Sequence, residues 1–386
     1  MPAWSPQRYR YDGERLGVEP QVLNSAVQTI ERIRAVDPRL SVVLTLRHLS
    51  LLTGASYEYL RKIVSRRAGE YKRILLKKPV PGRTRYREIH IPEPQLASIQ
   101  HWISDNILKS TRAHASSYAY HPESQPVFAA QPHCGCRWLL KIDLVDFFHS
   151  ISEQDVYTAF KSLGYRPLLA FELARLTTMV SSSSKITRPD HANKWAAIPA
   201  YACDKQGHLP QGAPTSPMLS NLVMRGVDEQ LTKIAAHNGF IYTRYADDLA
   251  FSSTSSVGLK RVQQLKQSAL MSLAISGYAN SQRKTAIRGP GARRIVLGIL
   301  VDGPEPRLPR EYKDALRQHL YYLRSTDHGP VKHAEARKLS ISTLFHHVRG
   351  KIAWAERVEP SFGRACLEDF EQVQWPPINP SRSAFD

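Results

Sequence analysis

"YTRYADDLAFSS" (Tyr242–Ser253) sets two adjacent carboxylates, Asp247 and Asp248, between two short apolar runs. Each run reads as a strand, so the pair falls at the turn or strand end between them. Such a pair is either a solvated polar turn or half of a metal site. The choice between them rests on what the rest of the chain supplies.

The chain has 386 residues, 42% of them apolar, enough to bury a sizeable core and hold two or three subdomains. Lys and Arg number 53 against 34 Asp and Glu, and the resulting +19 is spread along the chain. A polyanionic partner, above all nucleic acid, is the first expectation, because neutralising phosphates releases counterions. Cys134, Cys136, Cys203 and Cys366 are too few and scattered for a disulfide framework, which suits a reducing compartment. Cys134-Gly-Cys136 beside His133 lacks a second pair at zinc-binding spacing, so these are read as packed thiols. No apolar signal core opens the chain, and no run reaches the roughly 20 apolar residues of a membrane span. A cytoplasmic location with no membrane partner is expected.

Apolar spacing predicts small helices from Glu19 to about Arg73, with Leu23, Ala26, Val27, Ile30 and Ile33 on one stripe. Leu46–Arg67 looks like two helices around a Thr53-Gly54-Ala55-Ser56 turn, a helix-turn-helix pattern that makes DNA binding a rival function. Lys77–Pro94 reads as a basic strand pair able to grip phosphate, followed by a helix from Gln95 to about Ser110. A strand is expected over Trp138–Ile151 and helices over Glu153–Leu163, Ser216–Gly239 and Leu259–Gly277. The inward stripe of the helix that opens at Ser216 is read as Leu219, Leu222, Val223, Val227 and Leu231. The Ser-rich segment from Thr177 to Gly212 reads as a long loop, and Arg293–Gly303 as one buried strand. Helices dominate after Pro309, with stripes Tyr312, Leu316, Leu320, Leu323 and Leu344, Val348, Ile352. The proline-rich end, 376–386, is expected to be disordered.

Asp143 and Asp146 in "KIDLVDFF" lie, like Asp247 and Asp248, where an apolar run ends. Side chains alternate along a strand, so Asp143 is the better partner unless the strand ends before Asp146. Buried carboxylates need a cation or a base. Two magnesium ions about 3.5–4 Å apart, held by hard oxygen ligands, stabilise both oxygens of an in-line phosphoryl transfer. "LPQGAPTSPMLSNL" adds a turn at Gln211-Gly212 and prolines ahead of a helix, a backbone that can pass close to a nucleotide.

In this order and spacing, "KIDLVDFF", "LPQGAPTSPMLSNLV" and "YTRYADD" resemble the sequence blocks of reverse transcriptases, most closely the bacterial retron enzymes. The resemblance runs from about Leu46 to about Val358. It implies an α+β right-hand polymerase, with a helical region over 1–75, fingers over 76–135 and part of 165–208, a palm with an antiparallel sheet over 136–302, and a helical thumb over 303–375. It also implies that Asp143, Asp247 and Asp248 form the catalytic, metal-ligating set for two Mg2+, with Mn2+ as a substitute. Phe148 matches the bulky residue that excludes a ribose 2'-hydroxyl, and Gln211 a contact to the incoming nucleotide. Arg87 matches the arginine that grips the triphosphate, with Arg85 and Lys78 beside it, and Lys284 matches the lysine that follows the palm helix. Arg337, Lys338, Arg349 and Lys351 would meet the duplex backbone.

The implied reaction copies a cognate structured non-coding RNA from deoxynucleoside triphosphates, primed by an internal 2'-hydroxyl, into branched RNA-linked DNA used in phage defence. An effector protein encoded nearby is an implied partner. The sequence departs from the retron pattern twice: Ala129-Ala130-Gln131-Pro132-His133 lacks the Asn of an Asn-Ala-x-x-His block, and Val296-Leu297-Gly298 replaces Val-Thr-Gly. The rival readings are a non-retron defence or group II intron-like reverse transcriptase, and a helix-turn-helix or RNA-holding antitoxin protein.

Overall fold

The computed structural model describes residues 4–69, 71–78, 85–122, 124–181 and 206–377. Most of the Ser-rich segment, Cys203 and the 378–386 end lie outside them. The chain forms two compact units, one of residues 1–123, 143–231 and 270–281, the other of 124–142, 232–269 and 282–386.

The first unit opens with α1 (Pro6–Arg15) and α2 (Pro20–Val36), whose Leu23, Val27, Ile30 and Ile33 are buried as their spacing requires. Next come α3 (Leu46–Thr53) and α4 (Tyr57–Val64), joined as the sequence suggests. Gly54 at φ +70 ends α3, and the Ser56 hydroxyl accepts from the Tyr59 N–H at 3.1 Å to start α4. The helical region stops earlier than Arg73: Arg66 at φ +60 and Gly69 at φ +91 break it, and β1 (Tyr71–Lys78) begins. This strand pairs antiparallel with β2 (Arg85–Pro92), from Tyr71 opposite Pro92 to Lys78 opposite Arg85. α5 (Pro94–Ile103) then runs into a π-helical turn, Ser104–Leu108.

The second unit receives α6 (Pro126–Ala130) and β3 (Trp138–Asp143), and the chain re-enters the first unit at Asp143. The strand expected to reach Ile151 ends here. Asp146, at φ +46, turns the backbone into the short α7 (Phe147–Ser150). α8 (Glu153–Ser162) starts with a capping box between Ser152 and Asp155. α9 (Pro167–Thr177), buried from Leu169 to its end, packs against α4, α5 and α8.

α10 (Ser216–Asn238) is the single helix expected, but rotated. Asn221, Met224 and Asp228 are fully buried beside Leu219 and Leu231, whereas Val223 and Val227 are half-buried. β4 (Ile241–Tyr245) and β5 (Asp248–Ser253) form the hairpin, followed by α11 (Leu259–Ile275) and β6 (Ala286–Arg288). The single strand expected over Arg293–Gly303 is instead a small hairpin of β7 (Ile295–Val296) and β8 (Ile299–Leu300). Leu297 and Gly298 both have positive φ, +50 and +80, the sense of a two-residue hairpin turn.

The four-stranded sheet has the order β4-β5-β3-β6. Its Leu139 and Ala250 share one core with α12 (Arg310–Arg324), α14 (Ile341–Val358) and α15 (Pro360–Glu371); α13 (Gly329–Ala336) lies between α12 and α14 in the chain. Leu316, Leu320, Leu323, Leu344, Val348 and Ile352 are buried in that core. The chain is α+β with antiparallel strand pairs, and no described helix is long and apolar enough to cross a membrane.

Candidate active site

Asp247 sits in a two-residue hairpin loop. Tyr245 pairs with Asp248 across β4 and β5, leaving Ala246 and Asp247 as the connection. Ala246 adopts φ +57, a conformation that costs a non-glycine residue roughly 1–2 kcal/mol. Arg244, wholly buried, donates from Nη1 to the Ala246 carbonyl at 3.2 Å. Further along the same pairing, the Tyr242 and Phe251 rings stack at 4.8 Å and fix the register. Asp247 and Asp248 are therefore presented by a strained, clamped hairpin whose register no slip can relax cheaply.

Asp143 closes β3, the strand next to β5 in the sheet. The Arg137 N–H, just before β3, donates to the Ser253 carbonyl at the end of β5 at 2.8 Å. The start of β3 thus lies beside the end of β5. The two strands run antiparallel, and β3 finishes toward the end of the sheet where β5 begins at Asp248. Behind this edge His133 is fully buried, its Nδ1 2.6 Å from the Ser252 hydroxyl and its Nε2 2.7 Å from the Thr243 hydroxyl. Burial pulls its pKa down to about 4, so it bridges β4 and β5 as a neutral ring. Lys284 is exposed in the turn before β6, whose pairing of Ala286 with Lys141 brings that turn toward the same end of β3.

Within the first unit, a cleft of about 520 Å³ is lined by Ile89, Ile91, Tyr120, Phe148, Gln211, Gly212 and Ser216, among others. Phe148 and Gln211, chosen from the sequence for a nucleotide, meet here. The Gln211 carbonyl accepts from the His90 N–H at 2.7 Å, and Gly212 at φ +120 could carry no Cβ without meeting Ile89 and the His90 carbonyl at 2.6 and 3.0 Å. Arg87 is exposed on β2 with the alternation of Ile89 and Ile91, both cleft residues. Lys78 and Arg85 are paired at the far end of the same ribbon. Ser216 and Pro217 place the N-terminus of the 23-residue α10 at the cleft, where the helix dipole favours an anion.

The backbone leading to Gln211 is held by buried charge. Glu153 bonds both Arg66 and Arg175, while Arg66 also donates to the Thr178 hydroxyl at 2.7 Å. The Glu153 N–H donates to the Gly207 carbonyl at 2.8 Å, and a Cβ on Gly207 would lie 2.5 Å from the Arg66 and Glu153 side chains. Burial pushes the Glu153 carboxyl up, but the two guanidinium groups outweigh it and leave its pKa below the usual carboxylate range.

Of the four cations assigned to duplex contact, Arg337 and Lys338 are exposed at the end of α13. Arg349 pairs with Glu356 at 3.4 Å, and the Lys351 ammonium lies 4.9 Å from the centre of the Tyr312 ring. The Cys136 thiol is raised to about 11 by burial, consistent with a packed thiol. Among the described residues no three His, Cys, Asp or Glu side chains are gathered into a ready metal cage. The carboxylates at the β3 and β5 ends are nevertheless hard oxygen donors of the type a divalent ion takes together with phosphate and water. Sequence reading missed Arg244, although it lies inside the opening motif, and Tyr120 and Asn221, which carry no recognised spacing.

Carboxylates at the ends of the neighbouring strands β3 and β5, in a chain with a glycine-dependent cleft at a helix N-terminus, are the parts a nucleotide-handling enzyme needs. Residues 75–293, more than half of the chain, match the family described as reverse transcriptase (RNA-dependent DNA polymerase), and the chain belongs to it. Its relatives make it an RNA-directed DNA polymerase of the bacterial retron type. It is 28% identical to the retron Ec86 reverse transcriptase of Escherichia coli over 85% of this chain and 93% of that one. It is 29% identical to the retron Mx162 and Mx65 reverse transcriptases of Myxococcus xanthus, over 75% and 80% of this chain but only 58% and 66% of theirs. The family generally requires divalent metal ions.

Proposed function

We propose that the protein copies a cognate structured non-coding RNA into RNA-linked single-stranded DNA by two-metal nucleotidyl transfer, as part of a cytoplasmic anti-phage system. The observation that carries the chemistry is the sheet order: Asp143 ends β3, Asp248 begins β5, and β5 is the neighbour of β3. Asp143 and Asp247 would hold the ions, with Asp248 completing the set, and Mg2+ is the expected metal with Mn2+ able to replace it. Bound there, such ions neutralise charge on the primer oxygen and the departing pyrophosphate.

The chain's own residues do the rest. Gln211 and the α10 N-terminus seat the nucleotide, Phe148 stands where a ribose 2'-hydroxyl would have to fit, and Arg87, with Arg85 and Lys78 behind it, takes the triphosphate. Lys284 neutralises charge beside it. Residues 76–135 with part of 165–208 act as fingers, 136–302 as palm and 303–375 as thumb, with Arg337, Lys338, Arg349 and Lys351 along the duplex. The names of the relatives support an RNA template, and an effector protein encoded nearby completes the system.

Two measurements test this. Purified protein should extend a primer on RNA with deoxynucleotides and Mg2+, and copurifying nucleic acid should contain a branched junction between RNA and DNA. Extension without a branch would point to a reverse transcriptase outside the retrons. Failure to extend would reject the polymerase reading.

A further inference from the structure

Tyr120 has φ +67, a conformation that an aromatic residue adopts only when its surroundings impose it. Those surroundings are built. The fully buried Asn221 of α10 donates from Nδ2 to the Ala119 carbonyl at 2.7 Å and receives the Ser117 hydroxyl on Oδ1 at 2.9 Å. His121 Nε2 lies 3.2 Å from the Ser117 carbonyl, which ties the far side of the same turn. The result of this strain is a ring turned into the cleft. Tyr120 lines it with Phe148, Gln211 and Gly212, and its ring centre is 6.1 Å from that of Phe148, with the planes tilted by 43°.

We infer that Tyr120 forms, together with Phe148, a two-ring wall that seats the deoxyribose of the incoming nucleotide, and that Asn221 is the positioning residue that holds Tyr120 there. The inference rests on the reading of this cleft as the nucleotide site. A single aromatic side chain facing open space can swing aside to admit a 2'-hydroxyl. A second ring at van der Waals range removes that freedom, so discrimination against ribonucleotides depends on both. The backbone strain at Tyr120 is offset by the Asn221 hydrogen bonds.

The test is single-nucleotide insertion on a primed RNA template by the full-length protein, comparing kcat/KM for a deoxynucleotide and its ribonucleotide. F148A should lower the deoxy-to-ribo ratio, and Y120A should lower it by about tenfold. Y120F should restore it, because the ring rather than the hydroxyl is invoked. N221A should shift the ratio in the same direction as Y120A. If Y120A fails to fold, as judged by its melting transition, Y120L carries the same expectation. An unchanged ratio in Y120A or Y120L while F148A loses discrimination would overturn the role of Tyr120 alone. An unchanged ratio in F148A as well would overturn the nucleotide reading of the cleft, and this inference with it.

Discussion

Arg244 Nη1 donates to the carbonyl of Ala246 at 3.2 Å from a position closed to solvent, and so ties a fully buried charge to the turn that carries Asp247. Removing that guanidinium leaves the turn unsupported and its other partners without a donor. Arg244→Ala should lower unfolding free energy by about 3 kcal/mol or more. Ala246→Gly should act oppositely and raise it by about 1 kcal/mol, since glycine accepts φ +57 without a steric penalty. Urea denaturation of both variants, fitted for midpoint and slope, measures these values.

The carboxylates divide their labour. Asp143→Asn and Asp247→Asn should each cut primer extension by about a thousandfold, the rate equivalent of losing several kcal/mol of charge stabilisation. Asp248→Asn should lose less, and higher Mg2+ or Mn2+ should recover part of it. Extension rates across a metal titration give the comparison. Equal, metal-independent losses in all three would contradict the division.

Glu153 makes the second structural demand. Glu153→Gln leaves the buried Arg175 guanidinium and the partly buried one of Arg66 facing a neutral amide, a loss of about 3 kcal/mol. Because the folded pKa of Glu153 is depressed, its contribution is present above the unfolded carboxylate pKa and declines as pH falls through the folded value. The stability difference between wild type and variant should therefore shrink only in strong acid. Since the Glu153 and Arg66 side chains also pack closely on Gly207, ahead of Gln211, the variant should raise KM for deoxynucleotide more than it lowers kcat.

Much of this is legible in the sequence because the signals are local. The α3–α4 turn announces itself by Gly54 and Ser56, and the hairpin at Asp247 by apolar runs of strand length on both sides. Leu316, Leu320 and Leu323 fall on one stripe at helical spacing, and that stripe is buried. What escapes depends on backbone sense or on distant partners. Leu297 at φ +50 turns an apolar run into a hairpin, and no propensity favours leucine there. Spacing misplaces the inward face of α10 because that face buries Asn221 and Asp228, polar residues that a hydrophobic stripe assigns to solvent. The cleft residue Tyr120 and the buried Asn221 behind it are joined through Ala119, a contact 102 residues apart that periodicity cannot see.

His133 is the surviving histidine of an altered block, and its place between the Ser252 and Thr243 hydroxyls gives it a measurable consequence. A neutral ring donates to one hydroxyl and accepts from the other. A proton would place a charge in a site closed to water, which is why burial lowers its pKa to about 4 from the ordinary 6.5. Well above pH 6.5 the ring is neutral in both folded and unfolded chains and the shift has no effect on stability. As pH falls from 6.5 toward 4 the unfolded chain takes up the proton first, so folding stability drops, by about 3 kcal/mol for the full shift. His133→Gln retains a donor and an acceptor but cannot titrate. Its unfolding free energy, starting lower at about pH 7.5, should converge on that of wild type by about pH 4.5. Parallel curves across that range would show that His133 is not held neutral by the sheet edge it bridges.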